Sequence, residues 1–469
     1  DGGNNSFAAN PSMLTSCQLF DGTTALNTGS NIVNPASTAT SSTPTLTQTF
    51  TFDQQLVVPK GTVKTLALKC NVASSADSAS QFQWGIGAAP SIAVTGVTSS
   101  NDVTETVTSA NGQVMTAAAG SLVVSTDSSS PSYAVAAAGS SANIAGVFKF
   151  RATNEAVNLN RLGLKLTSGS ASDLVQVSVW DGATQVGTAV FTGNGSYATS
   201  TFSSPVSLPK DTDKTLTVKV DLALVGTSQP GTQGSLIKVD FNGSDSTGTQ
   251  GTGAGSGNTI NATGSTSVAG VRLFKSFPTL AQDTLGSTGI ADGRLMRFKV
   301  TANANGPVGI SQFKFSVSTT SATVTQIALY AYNDASYSNP ISGQGTSGQI
   351  GSNVASAVNG TAFAIAPTTN PIQVSSGSTM YFELRASVAG VTTGSSVVTT
   401  LVGDSAYPTQ LTSGYNVATS SALTTAHNFV WSGNATTTST TSDVDWSNGY
   451  GIPGFSASGL IQTRIGRAS

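Results

Sequence analysis

Apolar and polar residues alternate in short segments along most of this chain. Leu162, Leu164 and Leu166 fall on one face of a predicted strand, and Gly163 and Lys165 fall between them. Turn-forming Gly, Asn, Asp and Pro separate such segments. Period-two alternation broken by regular turns is typical of antiparallel β-sandwiches, and no long segment has helical periodicity. We therefore predict an all-β fold of tandem immunoglobulin-like β-sandwich domains.

One segment of the chain occurs twice. Residues 56–70 recur as residues 206–220, with several residues repeated in the same order. A repeat over that distance indicates that one folded module was copied along the chain. Copied modules typically build length or surface, so the repeat favours a structural protein over an enzyme. The matched residues are Pro59 and Pro209, Lys60 and Lys210, Lys64 and Lys214, Thr65 and Thr215, Leu66 and Leu216, and Lys69 and Lys219.

Further matches extend the repeat to three unequal copies. Residues 17–26 match residues 177–186, and residues 327–334 form a degenerate third copy. The second and third copies each begin with a pair of predicted strands that the first copy lacks. Either the missing strands lie upstream of this sequence, or a neighbouring molecule supplies them by strand donation across an open sheet edge.

The matches divide the chain into modules and the segments between them. Residues 243–258 have the composition of a flexible linker, whereas apolar runs near residues 92 and 121 are credible strands. The connecting segments are therefore either β-elements that bridge modules or free coil. The predicted divisions are an incomplete first β-sandwich module (1–86), a β-rich connecting segment (87–143), a second module (144–242), a Gly/Ser/Thr-rich connector (243–290), a third module (291–405) and a C-terminal assembly segment (406–469).

The composition indicates where the protein is located and which binding partners it is not expected to have. Charged residues make up 9% of the chain, hydrophobic residues make up 38%, and the formal net charge is −2. Without a basic face, the chain is not expected to bind nucleic acid. The low-charge, hydroxyl-rich composition favours a secreted, extracellular protein of the cell surface. No signal peptide and no apolar run of about 18 residues is visible, so we expect no transmembrane segment and attachment to the cell envelope by other means.

The two cysteines give the sharpest local prediction. Cys17 aligns with Val177 and Cys70 aligns with Val220, and both valines are predicted to face the core of the second module. An even number of cysteines in an extracellular chain favours a disulfide between Cys17 and Cys70. The alternative is two separate buried thiols. A disulfide here would be structural, because no Cys-x-x-Cys redox motif is present.

Catalytic chemistry has little support in the sequence. His427 is the single histidine, and neither a nucleophile elbow nor zinc-ligand spacing surrounds it. We predict a solvated or capping histidine. The 22 acidic residues are spread along the chain without an aromatic-rich groove motif, so a glycosidase site is not expected.

A partial calcium motif lies near the C-terminus. Asp443, Asp445 and Ser447 place oxygen-bearing side chains at alternate positions before Gly449, as in part of a calcium loop. The glutamate that such loops carry downstream is absent. An Asp-rich turn without metal is the alternative interpretation, so calcium is the one cofactor that the sequence suggests.

Sequons for N-glycosylation occur at predicted turns. In a chain rich in Ser and Thr such triplets also arise by chance, so they support glycosylation only weakly. The candidate sites are Asn194, Asn242, Asn261, Asn359 and Asn434.

Aromatic residues recur at one position of the repeat. Phe20, Trp180 and Tyr330 occupy equivalent points in the three copies. A position that repeats with the fold favours a buried aromatic residue in each sandwich core, and a sugar-binding platform is the alternative.

The C-terminal segment is a candidate assembly element. Trp431, Trp446, Tyr450 and Phe455 concentrate large aromatic side chains there, and tryptophan commonly anchors interfaces. The alternative is that these side chains pack on the third module.

The amino-acid sequences of several segments resemble those of a known group of surface proteins. Residues 162–182 and 276–285, together with the endings at 429–438 and 445–454, are similar to repetitive surface proteins encoded by ultra-small candidate-phyla (Parcubacteria-type) bacteria. The likeness covers roughly residues 115–469. It implies a cell-envelope protein of the surface-layer (S-layer) type, with no catalytic residues to transfer.

These observations predict a secreted structural protein that self-assembles, as a homo-oligomeric array, into a cell-surface layer. One alternative is an extracellular filament in which strands pass between subunits. Another, of a different class, is a surface adhesin or glycan-binding protein.

Overall fold

The alternating segments form β-strands throughout the computed structural model, which describes residues 11–35, 47–74, 76, 79–87, 92–368, 370–408, 427–435 and 445–466. The all-β prediction is confirmed, and the second and third modules are tandem β-sandwiches. Within these ranges the helices are single 3₁₀ turns, none of them long or apolar enough to cross a bilayer. They are Pro11–Met13, Gly29–Asn31, Ala171–Asp173, Ile290–Asp292 and Thr346–Gly348.

The first module is small and has one three-stranded sheet and two two-stranded antiparallel pairs. Leu14, Cys17, Leu26, Val33 and Phe82 are its buried hydrophobic residues. Few apolar side chains are therefore removed from water here. The strands are β1 (Leu14–Asp21), β2 (Thr24–Ala25), β3 (Leu66–Val72), β4 (Gln81–Phe82), β5 (Gly85–Ile86), β6 (Ala110–Asn111) and β7 (Met115–Thr116).

The second module is a complete sandwich of twelve strands. They are β8 (Ser121–Thr126), β9 (Ala134–Ala137), β10 (Asn143–Thr153), β11 (Val157–Ser168), β12 (Leu174–Asp181), β13 (Thr184–Ala189), β14 (Tyr197–Leu208), β15 (Asp213–Leu222), β16 (Leu236–Phe241), β17 (Gln250–Gly253), β18 (Thr259–Ser265) and β19 (Val271–Phe274). One layer is ordered β13-β12-β15-β10-β8-β18, and the other is built around β11. Leu162, Leu164 and Leu166 of β11 are buried between the layers, as their alternation predicts.

The predicted divisions cut through this second module. β8 and β9 come from the predicted connecting segment 87–143, and β17, β18 and β19 come from the predicted connector 243–290. β8 pairs with β10, and β18 pairs with both β8 and β17. The Gly-rich stretch that resembles a linker is thus part of the sandwich, because its residues Gln250–Gly253 form β17.

The third module has a five-stranded sheet packed on a seven-stranded sheet. Its strands are β20 (Pro278–Asp283), β21 (Arg294–Ala302), β22 (Val308–Thr320), β23 (Thr323–Tyr332), β24 (Gln349–Ser356), β25 (Ala362–Ile365), β26 (Ile372–Val374), β27 (Thr379–Ala389), β28 (Ser396–Leu401), β29 (Val430–Ser432), β30 (Trp446–Asn448) and β31 (Leu460–Ile465). Phe298, Phe313 and Phe382 meet at its centre, with ring centroids 5.0–5.5 Å apart.

The sequence repeat is a repeat of strand pairing. β1 pairs with β3, β12 with β15 and β23 with β27, all antiparallel. Phe20 lies opposite Ala67, Trp180 opposite Thr217, and Tyr330 opposite Glu383. Equivalent residues therefore occupy the same cross-strand positions in all three modules.

Candidate assembly surfaces

The recurring aromatic residues lie on the outer face of each module. Phe20, Trp180 and Tyr330 are half-buried, and each is covered by a basic side chain from the neighbouring strand. Lys69 Nζ lies 4.5 Å from the Phe20 ring centroid, and Lys219 Nζ lies 3.9 Å from that of Trp180. In the third module the Arg385 guanidinium carbon is 4.9 Å from the Tyr330 ring centroid.

The prediction that these aromatic residues fill the sandwich cores is therefore wrong. Val177 and Val179 face the core from β12, so strand alternation puts Trp180 on the opposite face, beside Ser178. The aromatic ring is kept there because a cation over its face is attracted by the ring quadrupole. The modules thus share a repeated, partly exposed aromatic and basic pair.

The disulfide predicted for the first module is present. Cys17 and Cys70 are bonded, and they close a separation of 53 residues. Their equivalents Val177 and Val220 lie directly opposite each other in the β12–β15 pair, and both are fully buried. The disulfide therefore stands where a pair of core valines packs in the complete module.

A buried carboxylate organises the C-terminal segment. Asp404 follows β28, and its carboxylate accepts hydrogen bonds from the backbone N–H groups of Asn428, Phe429 and Gly449, at 2.9–3.1 Å. These bonds bring the start of β29 and the end of β30 to one point. No sequence pattern indicates this role, because the three donors are distant from Asp404 along the chain.

The aromatic residues proposed for an interface are mostly core residues. Trp431 and Trp446 are fully buried, and Phe455 is 4% exposed. Trp431 donates its indole N–H to the carbonyl oxygen of Asn448 at 2.6 Å. The prediction that Trp431, Trp446 and Phe455 form an assembly interface is wrong, because β29, β30 and β31 complete the second sheet of the third module.

An arginine fixes the last strand of the segment. Arg464 of β31 is fully buried, and its guanidinium lies 2.5 Å from the carboxylate of Asp292. It also donates to the carbonyl oxygens of Ser287 and Gly289. The predicted boundary at 405/406 therefore divides a folded unit.

The partial calcium motif is only partly described. Asp443 lies outside the described residues. The Asp445 carboxylate accepts hydrogen bonds from Ser432 Oγ at 2.9 Å and from the N–H of Ala435 at 2.6 Å, and Ser447 is buried in β30. Among the described residues, no group of three or more His, Cys, Asp or Glu side chains is arranged to hold a metal ion.

His427 lies at the edge of the same segment. The ring is half-buried, and its Nδ1 is 3.3 Å from the side-chain nitrogen of Asn448. Burial lowers the pKa of His427, and the nearby Asp404 carboxylate partly opposes that effect. The neutral ring is therefore favoured.

Aromatic and basic side chains also join the second and third modules. Arg272 of β19 stacks on Tyr407, with the guanidinium carbon 3.4 Å from the ring centroid, and donates to the hydroxyl of Tyr133 at 2.8 Å. Tyr450, the fourth predicted interface residue, packs against Tyr133 with ring centroids 4.8 Å apart. Burial raises the pKa of Tyr133 to about 12, although Arg272 acts in the opposite direction.

Apolar contacts and hydrogen bonds continue this junction. Phe274, the last residue of β19, packs against Trp431 with centroids 4.8 Å apart. Lys275 donates to the carbonyl oxygen of Asn434 at 2.9 Å, and Asn305 donates to that of Ala138 at 2.7 Å. The C-terminal segment thus packs against the second module as well as the third.

The outer face of the third module carries a charged cluster. Glu383 is fully buried, and its carboxylate is 2.7 Å from Arg297 Nε and 3.2 Å from Arg294 Nε. Arg385 forms a third ion pair with it. The Arg297 guanidinium carbon also lies 3.8 Å from the ring centroid of Tyr337. This cluster depends on cross-strand neighbours that the sequence pattern does not reveal.

The sequons divide into exposed and buried sites. Asn194, Asn261 and Asn359 are exposed. Asn242 is 5% exposed and Asn434 is 1% exposed, and Asn434 donates its side-chain N–H to Gln373 at 2.8 Å. Glycosylation at Asn242 and Asn434 is therefore contradicted by the fold, because a glycan cannot be accommodated on a buried amide.

Comparison with known proteins adds little to this picture. No protein-family model matches the chain. No curated protein matches it either.

Solved structures give likenesses of low overall score. One is a structure of manganese lipoxygenase of Gaeumannomyces graminis with a partial zonadhesin of Komagataella pastoris, at 12% identity, 60% of this chain, 87% of that chain and a TM-score of 0.16. Another is the serine-rich repeat adhesion glycoprotein Srr1 of Streptococcus agalactiae, at 11% identity, 60% of this chain, 91% of that chain and a TM-score of 0.14. The CFA/I adhesin CfaE of enterotoxigenic E. coli aligns at 9% identity, 61% of this chain, 82% of that chain and a TM-score of 0.14. At these scores no argument rests on them.

Proposed function

We propose that this chain is a secreted structural protein whose β-modules assemble into a cell-surface layer, and that it is not an enzyme. The observation that carries the proposal is the packed junction between the second and third modules. Domains joined by small contacts move relative to one another by default. Arg272, Phe274 and Lys275 instead connect β19 to the C-terminal segment through stacking, apolar packing and a hydrogen bond. A subunit of fixed shape is what a regular layer requires.

Three features support a location outside the cell. The Cys17–Cys70 disulfide is typical of oxidising compartments. Only 9% of the residues are charged. The resemblance to Parcubacteria-type surface proteins points to the same place and remains a prediction.

Electron microscopy of the purified protein, with and without a calcium chelator, tests the proposal. We expect sheets in the absence of chelator. Loss of the sheets on chelation would show that calcium takes part in the contacts between subunits. Sheets that persist would show that the polypeptide alone forms these contacts. Fibres would favour a filament, and monomers under all conditions would contradict assembly.

A glycan-binding adhesin is the second candidate. It is favoured by the partly exposed aromatic residue that each module presents at the same position, since aromatic rings stack well on sugars. Glycan-array binding by the intact chain, lost in Trp180→Ala and kept in Leu224→Ala, would support it. Leu224 is a suitable control because it is an exposed apolar residue of the same module.

A further inference from the structure

We propose that the outer edge of β3 pairs with the same edge of a second copy of this chain. Two first modules would then form one continuous antiparallel sheet. The inference rests on the proposed self-assembly and names one of its contacts.

The edge is defined by comparison with the other modules. β15 lies between β12 and β10, and β27 lies between β23 and β21. Among the described residues, β3 is paired with β1 alone. Its other side therefore presents backbone N–H and C=O groups, which is a template for pairing with another strand.

The burial of β3 agrees with a missing neighbour. Leu216, Val218 and Val220 of β15 are fully buried. Their equivalents Leu66, Leu68 and Cys70 are only half-buried.

The second and third modules show which side chains would pack beside β3 in a complete module. Phe148 of β10 lies opposite Leu216, and Phe298 of β21 lies opposite Phe382. No described strand supplies an equivalent side chain beside β3. More than half of the exposed large hydrophobic residues of the described chain lie between Phe52 and Met115, which marks this module as the least covered.

Symmetry and sequence favour a second copy as the occupant. The neighbours β10 and β21 are antiparallel to β15 and β27. A two-fold axis normal to the sheet makes β3 antiparallel to its own copy, so the polarity is the same. The core face of β3 carries apolar residues only, and the symmetric pair therefore places apolar side chains against apolar side chains.

Charge excludes one register of this pair. With Lys69 on the two-fold axis, two ammonium groups would lie directly opposite each other, which is unfavourable. With Leu68 on the axis, Leu66 lies opposite Cys70 of the second copy, and Lys69 lies opposite Ala67. We assign the Leu68-centred register.

The substitution Ala67→Lys tests this pairing. Ala67 is exposed on the outer face, so the module keeps its fold, while the new charge faces Lys69 of the second copy twice per dimer. Thr217→Lys is the matched control, because Thr217 is the equivalent residue in a strand whose neighbours are both present. Sedimentation equilibrium should show a dimer whose dissociation constant rises about tenfold in Ala67→Lys and stays unchanged in the control.

Hydrogen exchange of the β3 amides provides the second measurement. We expect protection that increases with protein concentration. A monomer at every concentration overturns the proposal, and a monomer with protected β3 amides overturns it by showing that the same chain fills the edge. Equal weakening by Thr217→Lys also overturns it.

Microscopy of Ala67→Lys separates this inference from the proposed function. Sheets that persist in the variant would overturn the β3 contact and leave the layer intact. A wild-type dimer with the predicted sensitivity, but without any sheets, would support the contact and contradict the layer.

Discussion

At the scale of single residues, the three modules differ mainly in what fills the same positions. Val177 and Val220 pack together in the second module, whereas Cys17 and Cys70 form a disulfide in the first. The covalent bond compensates for a small core. Replacing apolar packing by a covalent link is typical of modules that cannot bury enough surface.

The disulfide makes a direct prediction. Replacing both cysteines by valine, Cys17→Val with Cys70→Val, installs the residues of the second module. Closing 53 residues stabilises by on the order of 3–4 kcal/mol in the loop-entropy estimate. We expect the β1 and β3 amides to exchange at least a hundredfold faster in the variant, while the second and third modules stay unchanged. Unchanged exchange in β1 and β3 would contradict a stabilising role.

A second prediction concerns the buried carboxylate of Glu383. Glu383→Gln leaves the partly buried Arg297 without its charged partner, and should destabilise the third module by about 2 kcal/mol. Denaturant unfolding monitored in that module measures the change. Asp213→Asn removes exposed ion pairs with Lys149 and Arg151, and is expected to have no measurable effect. Equal effects of the two variants would refute the assignment.

At the scale of strands, most of the fold can be predicted from the sequence. Which face of a strand a particular side chain occupies is harder to predict. Leu162, Leu164 and Leu166 predict the core face of β11 correctly, because alternation is a local property. The same rule assigns Trp180 to the outer face, whereas the recurrence of an aromatic residue at this position in every copy had favoured the core. The basic cover from Lys219 comes from a strand some forty residues away, which no local pattern reveals.

The C-terminal strands show a second limit of sequence-based prediction. Trp431 and Trp446 are buried because Asp404 gathers distant backbone N–H groups and because β29 pairs with β22. Both contacts are long-range. Large aromatic residues in a terminal segment fit an interface and a core equally well until the pairing is known.

His427 makes the C-terminal segment sensitive to acid. Burial lowers its pKa below 6.5, so the unfolded state binds the proton more readily than the folded state. The neutral His427 ring therefore contributes fully to folding stability above a pH of about 6.5, and this contribution is lost as the pH falls through the pKa of His427 in the folded state. Between pH 7 and pH 5, roughly, His427→Gln should lose less stability than the wild type in thermal melts. Parallel losses in both proteins would refute this role.

At the scale of the whole molecule, the junction decides whether the second and third modules behave as one body. Arg272 stacks on Tyr407 and donates to Tyr133, and Tyr450 covers Tyr133. These contacts link strands from both modules to the C-terminal segment. Order within the subunit is the property on which a regular array depends.

Cooperative unfolding measures this coupling. We expect calorimetry of the wild type to show one transition for the two modules, and Arg272→Met to split it, with the less stable part melting several degrees earlier. Arg151→Met is the control, because Arg151 is exposed and pairs with Asp213 within the second module. Two transitions already present in the wild type would show that the junction does not couple the modules.

The most direct test of the central claim is the order of the assembled protein in electron micrographs. From the purified chain we expect extended sheets whose Fourier transforms show sharp spots in two dimensions. Single-axis fibres, or particles that stay monomeric at every concentration and calcium level, would contradict a self-assembling surface layer.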